Sequence, residues 1–199
     1  EDWKARCMLA NIVGMTPNTT TNTITQQMVF GNDRNPKFIW TDLSKEFPGY
    51  EYKFGKSTYM GEEVGEGGYV YSEPGIYKNV ALLDVASMHP HSIKALNLWG
   101  DEYTNKYFDL VKARIAIKHG ELDKLKTMYG GKLAPYVSDD PAEQKILSTS
   151  LKIPINSMYG LTAAKFGNRA NGNSGQNNKD NIVAKRGALF MIWLKHRVQ

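Results

Sequence analysis

The chain has 199 residues, 41% hydrophobic and 23% charged, a composition that is typical of a globular protein and excludes a disordered, collagen-like or disulfide-stapled chain. Its formal net charge of +5 is unevenly distributed: residues 1–100 contain 9 Lys/Arg and 11 Asp/Glu, whereas residues 101–199 contain 16 and 9. From Lys145 onward there are 9 basic residues and one acidic residue. This excess favours either a phosphate-binding surface or an ordinary solvated basic face.

Sequence signals of location favour the cytoplasm and exclude a membrane span. No apolar run approaches the ~20 residues that a bilayer-spanning helix needs. The starting sequence EDWKARC lacks the basic-then-apolar order of a signal peptide. Cys7 is the single cysteine and cannot form an internal disulfide, which is typical of a protein from a reducing compartment.

The first half of the chain predicts two short helices, a turn-rich stretch and a buried strand. Residues 1–15 have helical apolar spacing, and residues 19–23 can cap a second helix that extends through Phe30. Residues 80–85 form a continuous apolar run of strand length, so we expect a strand that is buried on both faces. Asp84 lies near its end, where a buried charge is costly unless it is paired or binds a metal.

The second half predicts a pair of antiparallel helices. Residues 101–128 have helical spacing with an interruption near Gly120. Asp140 as N-cap and Pro141 at the first helical position begin a second helix that runs toward Tyr159.

A Gly- and Asn-rich loop and a last helix complete the chain. The loop covers residues 167–181, and Asp180 or Asn181 caps the helix that follows. Together these elements predict an α/β (α+β) fold.

One stripe of the helix beginning at Pro141 carries polar and amphipathic side chains. On a helical wheel, four side chains fall within about 60° of Lys145: Ser148, Lys152, Asn156 and Tyr159. Lysine is a compact phosphate-binding charge, and an amide beside a phenol can contact a base or sugar, so the stripe predicts a triphosphate site. A solvated helix face is the alternative. Pro154 lacks a backbone donor, which predicts a kink beside Lys152.

Two stretches of the chain resemble motifs of the family B DNA polymerases, and the resemblance is nearest to the phage type. Residues 152–160, KIPINSMYG, contain every specified position of motif B, K-x-x-x-N-S-x-Y-G. Residues 84–93, DVASMHPHSI, are similar to motif A, D-x-x-S-L-Y-P-S-I-I, and match it at Asp84, Ser87, Pro90 and Ile93. Gly67 and Gly68 resemble the glycine motif that precedes motif A.

The resemblance implies a partial polymerase palm sheet with an antiparallel helical fingers hairpin. It covers residues 61–199 well and residues 1–60 loosely. The segments it implies are a connection from the exonuclease (1–60), a palm part with motif A (61–100), fingers ending in motif B (101–160), and a return to the palm (161–199).

The resemblance also implies an activity. A DNA-directed DNA polymerase is a nucleotidyltransferase that adds dNTPs to a primer 3′-hydroxyl on a DNA template. The reaction is a phosphoryl transfer that uses two Mg²⁺ or Mn²⁺ ions. Asp84 would be the catalytic metal ligand, with the Val85 carbonyl as a further ligand. The implied nucleotide-binding residues are Ser87, Met88, His89, Lys145, Lys152, Asn156 and Tyr159.

Motif A departs from the family pattern at two positions. His89 replaces the tyrosine that lies under the sugar in the family, which leaves sugar discrimination open, and His91 replaces the usual serine. A zinc site at His89 and His91 is disfavoured, because the sequence has no Cys or second His pair at metal-ligand spacing.

In the family B polymerases, motif C, with the pattern D-T-D, follows motif B. In this chain motif C would follow Gln199. Asp139 and Asp140 precede motif B and fit a helix cap instead. We therefore expect a split enzyme that a second polypeptide with motif C and the thumb completes, located in the host cytoplasm if phage-encoded. Residues 80–85 would present an apolar sheet edge, and the isolated chain would aggregate. The alternative is a non-catalytic nucleic-acid-binding protein or an inert polymerase fragment.

Overall fold

The computed structural model describes residues 2–65, 67, 69–175 and 181–198. Helices make up 57% of the structure and strands 5%, so helices supply most of the core of this mixed α+β fold. Among the described residues, none of the helices combines the length and the apolar character of a membrane span.

Two short helices begin the chain, close to their predicted positions. Helix α1 is Asp2–Val13 and helix α2 is Thr21–Phe30. The Thr20 hydroxyl accepts a hydrogen bond from the backbone N–H of Thr23 at 3.3 Å, which satisfies one of the amides that the start of α2 leaves unpaired.

A three-stranded antiparallel sheet follows, which the sequence did not predict. Its strands are β1 (Glu51–Lys53), β2 (Lys56–Tyr59) and β3 (Glu62–Glu63). Lys53 pairs with Lys56 and Tyr59 with Glu62, so both connections are two-residue turns, Phe54-Gly55 and Met60-Gly61. All four turn residues have positive φ, the pattern of type I′ turns, which match the right-handed twist of the strands.

The predicted buried strand at residues 80–85 is wrong in this structure. These residues form no regular secondary structure, and Val80, Leu82 and Leu83 are 73%, 91% and 66% exposed. Strand pairing and burial both need a neighbouring surface, and none of the described residues covers positions 80–84, while Val85 is half-buried. Asp84 therefore lies on an irregular, solvent-exposed segment rather than in a sheet.

The first of the remaining helices was not predicted from the sequence, and the others agree with the predicted order. The remaining helices are α3 (Met88–Leu96), α4 (Gly100–Lys118), α5 (Leu122–Thr127), α6 (Pro141–Thr162) and α7 (Ile182–Val198). Gly120, at φ 71°, separates α4 from α5 as the sequence predicts. Asp140 accepts the backbone N–H of Ala142 at 2.9 Å, which confirms the predicted cap of α6. Pro154 lies inside α6, which continues past it to its end at Thr162.

Helix α6 packs along α4, and this contact joins the two halves of the predicted hairpin. The buried hydroxyl of Tyr107 in α4 donates to the carbonyl of Ile155 in α6 at 3.2 Å. Burial raises the pKa of the Tyr107 phenol well above its usual range, so the hydroxyl stays protonated and remains a donor. One hydrophobic core includes side chains from all four predicted segments, for example Leu9, Ile93, Leu110, Leu151 and Leu189.

The predicted loop between α6 and α7 is partly ordered by asparagine side chains. Arg169–Asn171 forms a short 3₁₀ turn, in which Asn168 and Asn171 each accept a backbone N–H of the other's segment. The carbonyl of Ala170 accepts the indole N–H of Trp99 at 2.7 Å, which ties the loop to the core. Residues 176–180 of this loop, including the proposed cap Asp180, lie outside the described residues, as does Gly68 of the glycine motif.

Candidate functional site

Asp84 presents a solvent-exposed carboxylate directly before α3. Within the described parts of the chain, its side chain has no hydrogen bond or ion pair, and no group of three or more His, Cys, Asp or Glu residues could hold a metal ion. A carboxylate and the neighbouring Val85 carbonyl are oxygen donors of the kind that Mg²⁺ prefers. The two donors are therefore of the kind that the implied metal would need.

Ser87 precedes the first residue of α3 in a left-handed conformation, with φ 55° and ψ 51°. Its side chain makes no capping hydrogen bond, while its carbonyl accepts the backbone N–H of His91 at 3.1 Å. A left-handed non-glycine residue costs of order 1–3 kcal/mol and is found mainly where the surrounding structure or a ligand requires it. The Ser87 hydroxyl is thus not used in forming the helix.

Met88 fixes α3 against α7. A Cβ atom added at Gly187 of α7 would lie 2.8 Å from the Met88 sulfur, a distance that real contacts essentially never show. A larger residue at position 187 would therefore require the Met88 thioether to shift. The side chain of Met88 packs against α7. The nucleotide contact that the resemblance implies for Met88 would therefore use its backbone atoms.

The two motifs meet where His89 stacks on Tyr159. The ring centroids are 4.0 Å apart, and the ring planes differ by 4°. The Tyr159 hydroxyl also accepts a hydrogen bond from Asn181 Nδ2 at 3.3 Å, just before α7. Burial lowers the pKa of His89, so its imidazole is neutral near pH 7. The buried Nδ1 of His89 has no partner among the described residues.

The predicted stripe on α6 is exposed along most of its length. Lys145, Lys152 and Asn156 are exposed, and Tyr159 is half-buried under His89. Ser148 differs from the prediction, because it is buried against α4, where its carbonyl accepts the Arg114 Nε–H at 3.3 Å.

A basic cleft of about 370 Å³ lies between α4 and α6, beside this stripe. Three cationic residues line it: Arg114, Lys118 and Lys145. Sequence reasoning identified Lys145 and missed the two residues from α4. Their i, i+4 spacing places Arg114 and Lys118 on one face of α4, but only the packing of α4 on α6 shows that this face meets Lys145.

Asp140 and His91 make local structural contacts. Asp140 caps α6, as predicted, and Asp139 precedes it. His91 lies edge-on to the ring of Phe108 at 5.2 Å, and its Nδ1 lies 3.1 Å from the Ser87 carbonyl. These contacts give His91 a local structural role.

Two further cavities lie apart from the stripe. One, of about 480 Å³, is bounded by α1 and the start of α6 and contains none of the predicted site residues. Another, of about 450 Å³, lies between α3 and α7 next to Asp84, and its lining includes Val85, Met88 and Arg186.

Comparison with known proteins adds no relative to these observations. No family model, curated protein or solved structure matches the chain. The likeness of residues 61–199 to the polymerase motifs is therefore a likeness of sequence motifs alone.

Proposed function

We propose that the chain is the palm and fingers part of a family B, DNA-directed DNA polymerase. It binds an incoming dNTP, together with Mg²⁺ or Mn²⁺, and positions it for transfer to the primer 3′-hydroxyl on a DNA template. The observation that carries the proposal is the stack of His89 on Tyr159, because it joins a motif A residue to a motif B residue 70 positions away. In this reading, the packed pair of α4 and α6 is the fingers hairpin.

The residue roles follow from the chemistry of a triphosphate. Asp84 and the Val85 carbonyl would hold divalent ions, which when bound would activate the 3′-hydroxyl and neutralise the triphosphate. The hydroxyl of Ser87, with the backbone of Met88, lies at the start of α3, where amide groups can bind phosphate oxygens.

The α6 stripe and the basic cleft would bind the rest of the nucleotide. Lys152 and Lys145 supply compact positive charges, to which the cleft adds Arg114 and Lys118. Asn156 would contact the triphosphate or sugar, and the stacked rings of His89 and Tyr159 would border the sugar and the nascent base pair.

A second polypeptide is part of this proposal. Residues 80–85 expose Val80, Leu82 and Leu83, and Asp84 stands without further acidic partners in the described parts of the chain. A polypeptide that carries motif C and the thumb would pair with this segment as a strand and supply the missing carboxylate. Residues 80–85 would then become the palm strand that the sequence predicts.

Magnesium-dependent primer extension tests the proposal. The purified chain, alone and with lysate fractions, is incubated with a labelled primer–template and dNTPs, and Asp84→Ala is compared with Asp123→Ala. Asp123 is an exposed acidic residue of α5, so its loss should leave extension unchanged. Extension that needs Asp84 supports the proposal, whether the chain acts alone or with a fraction.

Nucleotide binding gives a second readout that needs no partner. We expect a fluorescent dNTP with Mg²⁺ to bind the chain and to bind Lys152→Ala about tenfold more weakly, because a charge-assisted hydrogen bond to phosphate is lost. Lys126→Ala, on α5, is the matched control. DNA binding without any dependence on Mg²⁺, nucleotide, Asp84 or Lys152 would instead support a non-catalytic nucleic-acid-binding protein.

A further inference from the structure

The turn between β1 and β2 contains Phe54, whose aromatic ring is exposed to solvent. Phe54 is fully exposed (102%), at φ 50°, and shares the two-residue turn with Gly55 at φ 78°. Type I′ turns of this kind favour Asn-Gly or Asp-Gly, because short polar side chains tolerate the left-handed conformation. A bulky residue at positive φ is a genuine outlier.

Phe54 makes no stabilising contact with the described part of the fold that would offset this strain. Its ring buries no surface, so the hydrophobic effect does not stabilise it. The next turn has a similar conformation with Met60 at φ 50°, but Met60 is 48% exposed and so half-covered. Backbone strain that burial does not offset, as at Phe54, is found mainly at ligand-binding sites.

Two lysines flank the ring. Lys53 and Lys56 are the last pair of the β1–β2 ladder, so their side chains lie on one face directly beside the turn. Each is ion-paired at the surface: Lys53 with Glu51 at 2.8 Å, and Lys56 with Glu63 at 3.8 Å. Exposed pairs of this kind contribute little and exchange readily for another anion.

Polar contacts hold the three-stranded sheet against α7, so the β1–β2 turn belongs to a sheet with a fixed position. Glu62 of β3 binds Lys195 at 2.7 Å and His196 Nε2 at 3.0 Å, both near the end of α7. On β1, the Tyr52 ring lies 5.2 Å from the ammonium group of Lys185, which is 3% exposed.

We propose that the β1–β2 turn binds a single-stranded stretch of nucleic acid, with Phe54 stacked on a base and Lys53 and Lys56 on the neighbouring phosphates. One flat ring between two cations matches the alternation of base and phosphate, whereas insertion into a membrane would need several apolar side chains. Every base has a π face, so the contact is independent of sequence. This proposal rests on the proposed function, since a template-directed polymerase handles an unpaired template strand.

Phe54→Asn is the decisive variant, because strain and binding predict opposite changes. Asn suits the left-handed position, so we expect a Tm about 2–4 °C higher than in the wild-type chain. Loss of base stacking should weaken binding of a short fluorescein-labelled single-stranded oligonucleotide about five- to hundredfold, measured by anisotropy. Phe54→Trp should retain the affinity and show fluorescence quenching on binding.

Controls separate the ring from the charges. Trp3→Ala removes another exposed aromatic ring, on α1, and should leave the affinity unchanged. Lys53→Gln and Lys56→Gln should each reduce the slope of log affinity against log salt concentration by about 0.7, the value for one phosphate contact on a single strand. A lower Tm for Phe54→Asn would contradict the strain on which the inference depends.

The result also distinguishes this inference from the proposed function. If the oligonucleotide fails to bind, or binds Phe54→Asn as tightly as the wild-type chain, the inference is overturned, while dNTP binding through Lys152 still supports the polymerase. If Phe54→Asn loses oligonucleotide affinity but Lys152→Ala binds the dNTP normally, the turn is a nucleic-acid contact and the proposed nucleotide site fails.

Discussion

The imidazole of His89 lies parallel to the phenol ring of Tyr159, with 4.0 Å between the ring centroids. Stacked aromatic pairs contribute about 0.5–1.5 kcal/mol beyond the area they bury. In a double-mutant cycle with His89→Ala and Tyr159→Ala, we expect a coupling energy of that size, measured by urea unfolding. Tyr159→Phe should retain the coupling, because it loses only the hydrogen bond from Asn181. Additive single-variant losses would show that the rings do not stabilise each other.

Protonation of His89 should destabilise the fold. Burial lowers the pKa of His89 below the 6.5 of an unperturbed histidine, so between the two values the unfolded chain binds a proton that the folded chain does not. The contribution of His89 to the free energy of unfolding is therefore greatest above pH about 6.5 and falls as the pH decreases below it, by at most about 1.4 kcal/mol per pH unit.

The matched variant for this pH dependence is His89→Phe, which keeps a ring on Tyr159 and cannot titrate. Its free energy of unfolding should change less than that of the wild-type chain between pH about 7.5 and about 5.5. The difference between the two chains removes the contributions of the other titrating groups. Parallel pH profiles would contradict a buried neutral His89.

The basic cleft between α4 and α6 should bind a polyphosphate without a base. We expect inorganic tripolyphosphate to bind about tenfold more weakly to Lys118→Ala and to Lys145→Ala, because each variant removes one cation from the cleft. Isothermal titration calorimetry at low salt measures the affinity. Lys124→Ala on α5 is the control, since that lysine pairs with Glu121 at 3.0 Å. Equal losses in all three variants would indicate a general effect of net charge.

Local signals in the sequence were sufficient for every helix except α3, which was not predicted. The cap residues Thr20 and Asp140 and the apolar spacing of α1, α4 and α6 act within a few residues, so one sequence displays them. The sheet at residues 51–63 was missed because its turns have Phe and Met where Asn or Asp would signal a hairpin.

Features that depend on distant parts of the chain could not be predicted in the same way. The apolar run at residues 80–85 was interpreted as buried, but burial depends on a covering surface that no local pattern reports. Arg114 and Lys118 belong to the cleft because α4 packs on α6. The motifs indicated that His89 and Tyr159 share a site, and their stacking became visible only in three dimensions.

Two buried serines should respond in opposite directions to removal of their hydroxyls. Ser150 is 2% exposed, and its Oγ has no hydrogen-bond partner among the described residues. Ser150→Ala should increase the free energy of unfolding by about 1 kcal/mol, because an unsatisfied hydroxyl is no longer buried. Ser92→Ala should decrease it by about 1 kcal/mol, since Ser92 Oγ accepts a hydrogen bond from Arg186 at 3.3 Å. A loss in both variants would imply that Ser150 has a partner.

The exposed segment at residues 80–85 should promote self-association. Leu82→Lys with Leu83→Lys should reduce association, measured by sedimentation velocity, because charged side chains on this exposed apolar segment oppose its pairing with another chain. The free energy of unfolding should change by less than about 0.5 kcal/mol, as for other exposed sites. Val198→Lys, at an apolar position that is 62% exposed at the end of α7, should leave association unchanged.

Helix α7 touches both motifs while belonging to neither. Asn181, just before its first turn, hydrogen-bonds the Tyr159 hydroxyl, and Gly187 lies against Met88 six positions later. The five helical steps from Ile182 to Gly187 span about 7.5 Å, and they separate the motif B contact from the motif A contact. An element outside both motifs thus contacts both of them, so changes in α7 can reach the stacked pair of His89 and Tyr159 from two sides.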